Sequence, residues 1–409
     1  MARSLGLTAY RALTRRREAL TAAPDVARPV GELVWIHAGE AGSLIAVEDL
    51  ARRICATRGD VSVLITVPGT DPVPVLREQP EQVLIAQHAP SEHPEAVTAF
   101  LDHWAPDLGV WVWGGLRPNL ILDAADRDCP LMLIDADAKG YDGRRDRWLP
   151  ELTRKLLGTF SHVFARSAAG QKRLAQLGLA PRKIEVTSPL LAGGQALPCD
   201  DSDLSDLSES LGGRPVWFAA RVEPDEVQIV LSAHRQALRL SHRLLLILGP
   251  AESDQLLPTA DQVAEQGLDV IFWDDGEEPD DATQVMLTAD PADRGLFYRV
   301  APVSFLGSSL VPDKGGCDPL EAAALGSAVL YGPKVRSFLP SYSRLAAAGA
   351  ARIVNDAPAL GTAVSRLIAP DQAATMAHAG WDVISQGADL TDKVVALVQT
   401  MLDERAGNT

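Results

Sequence analysis

The chain has 409 residues, 46% of them hydrophobic, and a formal net charge of -16. That length exceeds what one core usually organises, so two domains are expected, and the apolar fraction excludes a disordered chain. The acidic balance argues against a general nucleic-acid binder, whose affinity would rest on excess Lys and Arg.

The four cysteines, Cys55, Cys129, Cys199 and Cys317, lie far apart with no CxxC pair. They imply neither a zinc site nor a disulfide framework and fit a reducing cytosol. No stretch reaches the apolar length of a membrane span, and no signal-peptide core opens the sequence.

Residues 5–20, "LGLTAYRALTRRREAL", read as a short basic amphipathic helix. Such a helix can lie on an anionic membrane surface or pack on its own domain. Apolar runs then alternate with helical patterns. Strands are expected at 33–38, 61–67, 82–86, 108–114, 130–136, 162–167 and 183–188. Helices are expected at 44–59, 94–104, from Pro118, at about 148–157, and through Leu177. This alternation implies βαβ crossovers and a parallel sheet.

The pattern breaks at 189–214, where Pro, Gly, Ser and Asp dominate as in a linker. The acidic runs "DDSDLSDLSE" (200–209) and "DDGEEPDD" (274–281) read as solvated loops. Alternation restarts with strands at 215–220, 243–249, 268–273, 284–289, 303–309, 328–332 and 351–355, and helical segments finish the chain. The expected architecture is two Rossmann-like, doubly wound α/β domains facing across a cleft. The N-terminal domain covers 1–190, a linker 191–213, and the C-terminal domain 214–409. Ligands of such sheets bind beyond the C-terminal strand ends.

Two loops lie at such ends. "WIHAGEAGS" (Trp35–Ser43) follows the first strand and places His37 and Glu40 among small residues. The other is "GSSLVPDKGGCDPLEAAALGSAVLYGP" (307–333). There Gly315 and Gly316 precede a helix opened by Pro319, with Glu321 in its first turn. Bared amides at such a point suit a phosphate, and Glu321 could accept hydrogen bonds from ribose hydroxyls. An ordinary glycine loop with a carboxylate capping its own helix fits the residues equally well.

The longer string resembles the 3-deoxy-D-manno-octulosonic acid (Kdo) transferases, where the family reads close to SLVP-x-GGHNPLEPAALGKPVLFGP. The likeness continues in "GLFY" (295–298), "RPVWFAA" (214–220) and "RPNLI" (117–121), and "WIHAGEAGS" is similar to the family's WxHAxSxGE. The resemblance implies a two-domain GT-B glycosyltransferase that moves Kdo, or a related sugar acid, from a CMP-sugar donor to a lipid A precursor, inverting at the anomeric carbon. It implies lipopolysaccharide biosynthesis at the cytoplasmic face of the inner membrane, with peripheral membrane contact and no cofactor or metal. The nucleotide site carries over to Ser309, Lys314, Gly315, Gly316, Asp318 and Glu321, and Asn119 to the acceptor side.

The departures cluster at the chemistry. The family's general base, the Glu of SxGE, falls at Ser43, and its Ser falls at Glu40. Glu40 as a relocated base, His37 as the base, or no base at all are the readings left open. Glu40 acting only as a helix cap is a further one. His becomes Cys317 and Asn becomes Asp318. Several cations that would meet an anionic donor are lost, with Arg221, Arg294 and Lys314 as potential substitutes. These losses point to an alternative: a non-catalytic or altered-specificity homologue that keeps the fold and binds or regulates in the same pathway.

Overall fold

The computed structural model describes residues 5–16, 26–39, 44–69, 73, 83–138, 150–194 and 196–407. The chain divides into two units, Met1–Ala192 with Gln386–Thr409, and Gly193–Ser385.

In the first unit the strands are β1 (Glu32–His37), β2 (Val61–Val67), β3 (Leu84–His88), β4 (Leu108–Val112), β5 (Leu131–Ala136), β6 (His162–Ala165) and β7 (Ile184–Val186). They form a parallel sheet in the order β3-β2-β1-β4-β5-β6-β7. β2, β4 and β5 are buried throughout, as uninterrupted apolar runs covered on both faces should be. The connecting helices begin where the sequence provides a stop for the preceding strand. Pro94 and Pro118 stand at helix starts, where a missing N–H costs nothing, and Ser167 accepts a bond from Gly170 N. Trp35, Trp104 and Trp111 are among the largest fully buried side chains, and Trp35 meets Trp111 edge-on with ring centroids 5.8 Å apart.

Chain direction across this sheet reverses between β1 and β4. Just past those strands Gly39 and Gly114 meet backbone to backbone. A Cβ on Gly39 would lie 2.5 Å from Trp113 O and 2.8 Å from Gly114 Cα. Gly39 of the "HAGEAGS" loop therefore serves close approach at the switch point.

The second unit has β8 (Val216–Val222), β9 (Leu245–Pro250), β10 (Val270–Phe272), β11 (Val285–Leu287), β12 (Val303–Leu306), β13 (Ala328–Tyr331) and β14 (Ala351–Ile353). They are parallel, in the order β10-β11-β9-β8-β12-β13-β14, with the switch between β8 and β12. Trp217, Phe305 and Leu246 lie in its core and are fully buried.

Two expectations need correction. The run at 200–209 is no loop: Asp201–Leu211 is a helix, with Asp200 accepting from Ser202 N at its start and Gly212 left-handed at its end. Its Leu207 and Leu211, four residues apart, are buried, so one apolar stripe holds a helix whose other face is acidic. The second concerns the chain end, which the sequence groups with the C-terminal half. The last helix, Pro370–Gly407, contributes its final part to the first unit. Leu390, Val394, Val398 and Leu402 make a buried stripe at a spacing of four, and Arg53 reaches Asp392 at 3.1 Å.

Candidate functional site

The switch point of the second unit is built from the ends of β8 and β12. Arg221 and Ser308, both non-glycine, adopt left-handed backbone with φ of 54° each. Such conformations cost about 1–2 kcal/mol and persist where surroundings enforce them. Here the enforcement is visible. Gly307 N donates to Ala220 O at 2.8 Å, and a Cβ on Gly307 would sit 2.3 Å from Arg221 O. Ser308 Oγ donates to Glu223 Oε1 at 2.8 Å and lies 3.2 Å from Arg221 O.

Beside this junction is a cavity of about 250 Å³. Its lining includes Arg221, Gly249, Ser253, Thr288 and Asp290, from the C-terminal ends of β8, β9 and β11 and the segments that follow them, and Arg294, which opens the helix Arg294–Val300. Arg221 and Arg294 thus line one concave site together with Ser253, Thr288, Glu252 and Asp290. That mixture suits an anionic, polyhydroxylated ligand with hydrogen-bond donors of its own.

None of the residues expected to hold nucleotide, Ser309, Lys314, Gly315, Gly316, Asp318 and Glu321, is among the residues lining this cavity. Ser309 is fully buried, donating to Leu306 O at 2.5 Å and accepting from Gly332 N at 2.8 Å, so its hydroxyl serves the fold. Lys314 forms an ion pair with Glu223 at 2.9 Å. Gly315 and Gly316 have φ of 84° and 79°, which glycine alone adopts at low cost. A side chain at Gly315 would collide with Ser337 Oγ at 2.2 Å, and Gly316 N donates to Ser308 O at 2.9 Å. The glycines thus make a tight turn whose second amide is spent internally. Asp318 caps its own helix, Pro319–Ala324, accepting from Leu320 N at 3.0 Å.

Glu321 is buried and its Oε2 stands 3.7 Å from Arg294 Nη1, which links it to the cavity. Cys317, where the family has His, is buried; loss of solvent pushes its thiol up to about 12, so it stays protonated. Of the potential substitute cations, Arg221 and Arg294 reach the cavity, and Lys314 is not among its lining residues. Of the wall formed by 249–253 and 288–291, the sequence pointed only to "GPAESD" (249–254), as a departure from the family's basic PRHPER, and 288–291 went unread. Beyond that, the wall's only signal was position, at the ends of two strands.

In the first unit, Glu40 and Ser43 lie outside the described residues. His37 is a core residue, which removes it as an accessible base. It is 1% exposed, its ring lies 4.1 Å from that of Trp111, and its Nδ1 is 2.9 Å from Thr66 Oγ1. Burial, with Arg117 adding to it, brings its pKa down to about 3 and keeps the imidazole neutral.

Asn119 is likewise buried, and its acceptor-side assignment gives way to a structural role. Its Nδ2 donates to Thr14 Oγ1 at 3.0 Å and Glu92 O at 2.7 Å, and its backbone N–H donates to Glu92 Oε2 at 2.9 Å. Tyr10 OH also donates to Glu92 Oε2, at 3.1 Å, and Arg11 pairs with Asp123. The N-terminal helix Leu5–Thr14 is therefore docked on its own unit, with Leu7 and Tyr10 against the core. Leu13, Arg15 and Arg16 remain exposed.

Among the described residues there is no cluster of His, Cys, Asp and Glu able to hold a metal, and no helix long and apolar enough to cross a membrane.

Residues 11–191 match the family described as 3-deoxy-D-manno-octulosonic-acid transferase (kdotransferase). A probable mitochondrial 3-deoxy-D-manno-octulosonic acid transferase of Arabidopsis thaliana is 26% identical over 326 residues, covering 77% of this chain and 72% of that protein. The 3-deoxy-D-manno-octulosonic acid transferase of Haemophilus influenzae is 25% identical over 381 residues, covering 92% of this chain and 88% of that protein. Among solved structures, the C-terminal CMP-Kdo binding domain of WaaA from Acinetobacter baumannii aligns at 22% identity and a TM-score of 0.42, covering 44% of this chain and 96% of that one.

Each of the two units is a doubly wound parallel α/β sheet with its own switch point. Over 92% of its length the chain is similar in sequence, at 25% identity, to a 3-deoxy-D-manno-octulosonic acid transferase.

Proposed function

We infer that the chain transfers Kdo, or a related sugar acid, from a CMP donor to a lipid A precursor in lipopolysaccharide biosynthesis. The observation that carries this is the relatedness to transferases along 92% of the chain. The second unit supplies a matching chemistry: a CMP-linked sugar acid carries a phosphate and a carboxylate, and Arg221 and Arg294 line one cavity.

The reaction is a direct displacement. The acceptor hydroxyl oxygen bonds to the anomeric carbon as the bond to the CMP phosphate oxygen breaks, and configuration inverts. The departing phosphate takes the electron pair, and the guanidinium groups stabilise that charge. The hydroxyl proton goes to a base, and with His37 buried and neutral Glu40 is the remaining candidate in the loop after β1. Glu321, held against Arg294, and the Gly315–Gly316 turn shape the nucleotide end. The exposed Arg15, Arg16 and Leu13 support a peripheral contact with the cytoplasmic face of an anionic membrane.

The exchange of the family's base for Ser43 favours a second reading, a homologue that binds the donor without turning it over. Transfer of labelled sugar from CMP-Kdo by the wild type and Glu40→Gln separates the two. Wild-type turnover that falls ~10²–10⁴-fold in the variant supports Glu40 as the base. CMP binding without wild-type turnover supports the second reading.

A further inference from the structure

Glu226 has no place in the reaction above, yet its surroundings are unusual for a carboxylate. It is fully buried. Oε2 accepts from Ser308 N at 2.7 Å and Glu223 N at 3.0 Å, and Oε1 accepts from Leu310 N at 2.7 Å and Ser309 N at 3.0 Å.

Three of those donors are consecutive residues in the loop leaving β12. Successive amides converging on one point form an anion-binding nest, and at a switch point a ligand's phosphate commonly fills it. Here the protein's own side chain fills it. Glu226 stands in the first turn of the helix Pro224–Leu238, where the helix dipole favours negative charge. The capacity of those amides for an anion is therefore already used.

The same contacts connect Glu226 to the cavity. Its Oε2 lies 2.9 Å from where a Cβ on Gly307 would be, and that Cβ would also collide with Arg221 O. The loop held by Glu226 is thus pressed against the backbone of Arg221, which lines the cavity in a left-handed conformation.

We propose that Glu226 is a positioning residue for the donor: it occupies the switch-point amides from within, and by fixing the Gly307–Leu310 loop it sets the backbone from which Arg221 meets the donor's anionic group. The donor's negative charge is then recognised by side chains, Arg221 and Arg294, and not by the 308–310 amides. This rests on reading the cavity as the donor site.

The test uses the full chain, with Glu226→Gln and Glu226→Ala beside the wild type. Glu226→Gln places an NH2 group against amides that need an acceptor. It should raise the KM for CMP-Kdo about tenfold and leave the acceptor KM unchanged. A residue that only stabilised the fold would reduce the active fraction and move neither KM.

Glu226→Ala empties the nest, so acetate should raise its thermal midpoint and leave that of the wild type unaffected. An unchanged donor KM in Glu226→Gln, or no acetate response in a folded Glu226→Ala, overturns the proposal. If Glu226→Ala does not fold, Ser308→Ala replaces it. Loss of the hydroxyl beside Arg221 O should raise donor KM several-fold, and an unchanged value overturns the proposal. Absence of wild-type transfer would defeat the functional reading and the donor role together, and the acetate response would then decide the internal-anion reading by itself.

Discussion

Arg294 Nη1 lies 3.7 Å from Glu321 Oε2, joining the helix that follows the Gly315–Gly316 turn to the wall of the cavity. The Arg294 side chain is 22% exposed, enough to meet a ligand, whereas Glu321 is at 8%. We expect Arg294→Ala to weaken CMP binding about 10–100-fold, the range of a charge-assisted hydrogen bond worth ~1.5–3 kcal/mol. Glu321→Gln should weaken it less and in the same direction. Calorimetric titration with CMP measures both, and wild-type affinity in both variants would remove this pair from the nucleotide site.

Asn119 tests the distinction between scaffold and site. Asn119→Ala removes two side-chain hydrogen bonds that tie the N-terminal helix to the rest of its unit. At ~1 kcal/mol each, stability should fall by about 2 kcal/mol with the KM for the lipid acceptor unchanged. Denaturant unfolding and steady-state kinetics together check this. A raised acceptor KM at unchanged stability would return Asn119 to the acceptor side.

Two buried histidines set the response to acid. His37 and His234 both have pKa values brought down to about 3, chiefly by burial, with His234 Nδ1 accepting from Trp217 Nε1 at 3.1 Å. Their unfolded value is near 6.5, so below that pH the unfolded chain binds more protons than the folded one. Their contribution is complete above about pH 6.5 and is lost as pH falls toward 3. Between pH 7 and pH 5 the two should cost about 4 kcal/mol in unfolding free energy. Urea titrations across that window should show the slope; half of it would mean that one imidazole is solvated, and a flat profile that both are.

Gly39 and Gly114 should tolerate no side chain. The atoms a Cβ on Gly39 would meet are all backbone, Trp113 O, Val112 O and Gly114 Cα, so no rotamer change can relieve the clash. Gly39→Ala should cost more than about 3 kcal/mol. An unchanged thermal midpoint would contradict the close approach of the β1 and β4 ends.

The strands were legible because parallel strands buried on both faces leave apolar runs of four to seven residues in the sequence, such as "VSVLITV" at Val61–Val67. The helix Asp201–Leu211 was hidden because Ser and Asp dominate it, and only Leu207 and Leu211 report its buried face. The site was legible in location and not in assignment. Polar residues in the 307–321 segment look alike on paper, yet Ser309 turns inward and Lys314 is paired with Glu223. The bonds that decide this come from Glu223 and Glu226, more than 80 positions away, a separation at which no local pattern forms. The cavity wall at 249–253 and 288–291 carries no motif because its place is fixed by strand order.

In the proposed reaction Arg221 and Arg294 hold the anionic CMP-linked donor for transfer. The most direct test is transfer of labelled Kdo from CMP-Kdo to a lipid A precursor by the wild type and by the Arg221→Ala/Arg294→Ala double variant. Wild-type product is expected, with a donor KM raised at least ~100-fold in the double variant and a folded protein by circular dichroism. Equal donor KM in the two proteins, or CMP bound as tightly by the double variant as by the wild type, would contradict it.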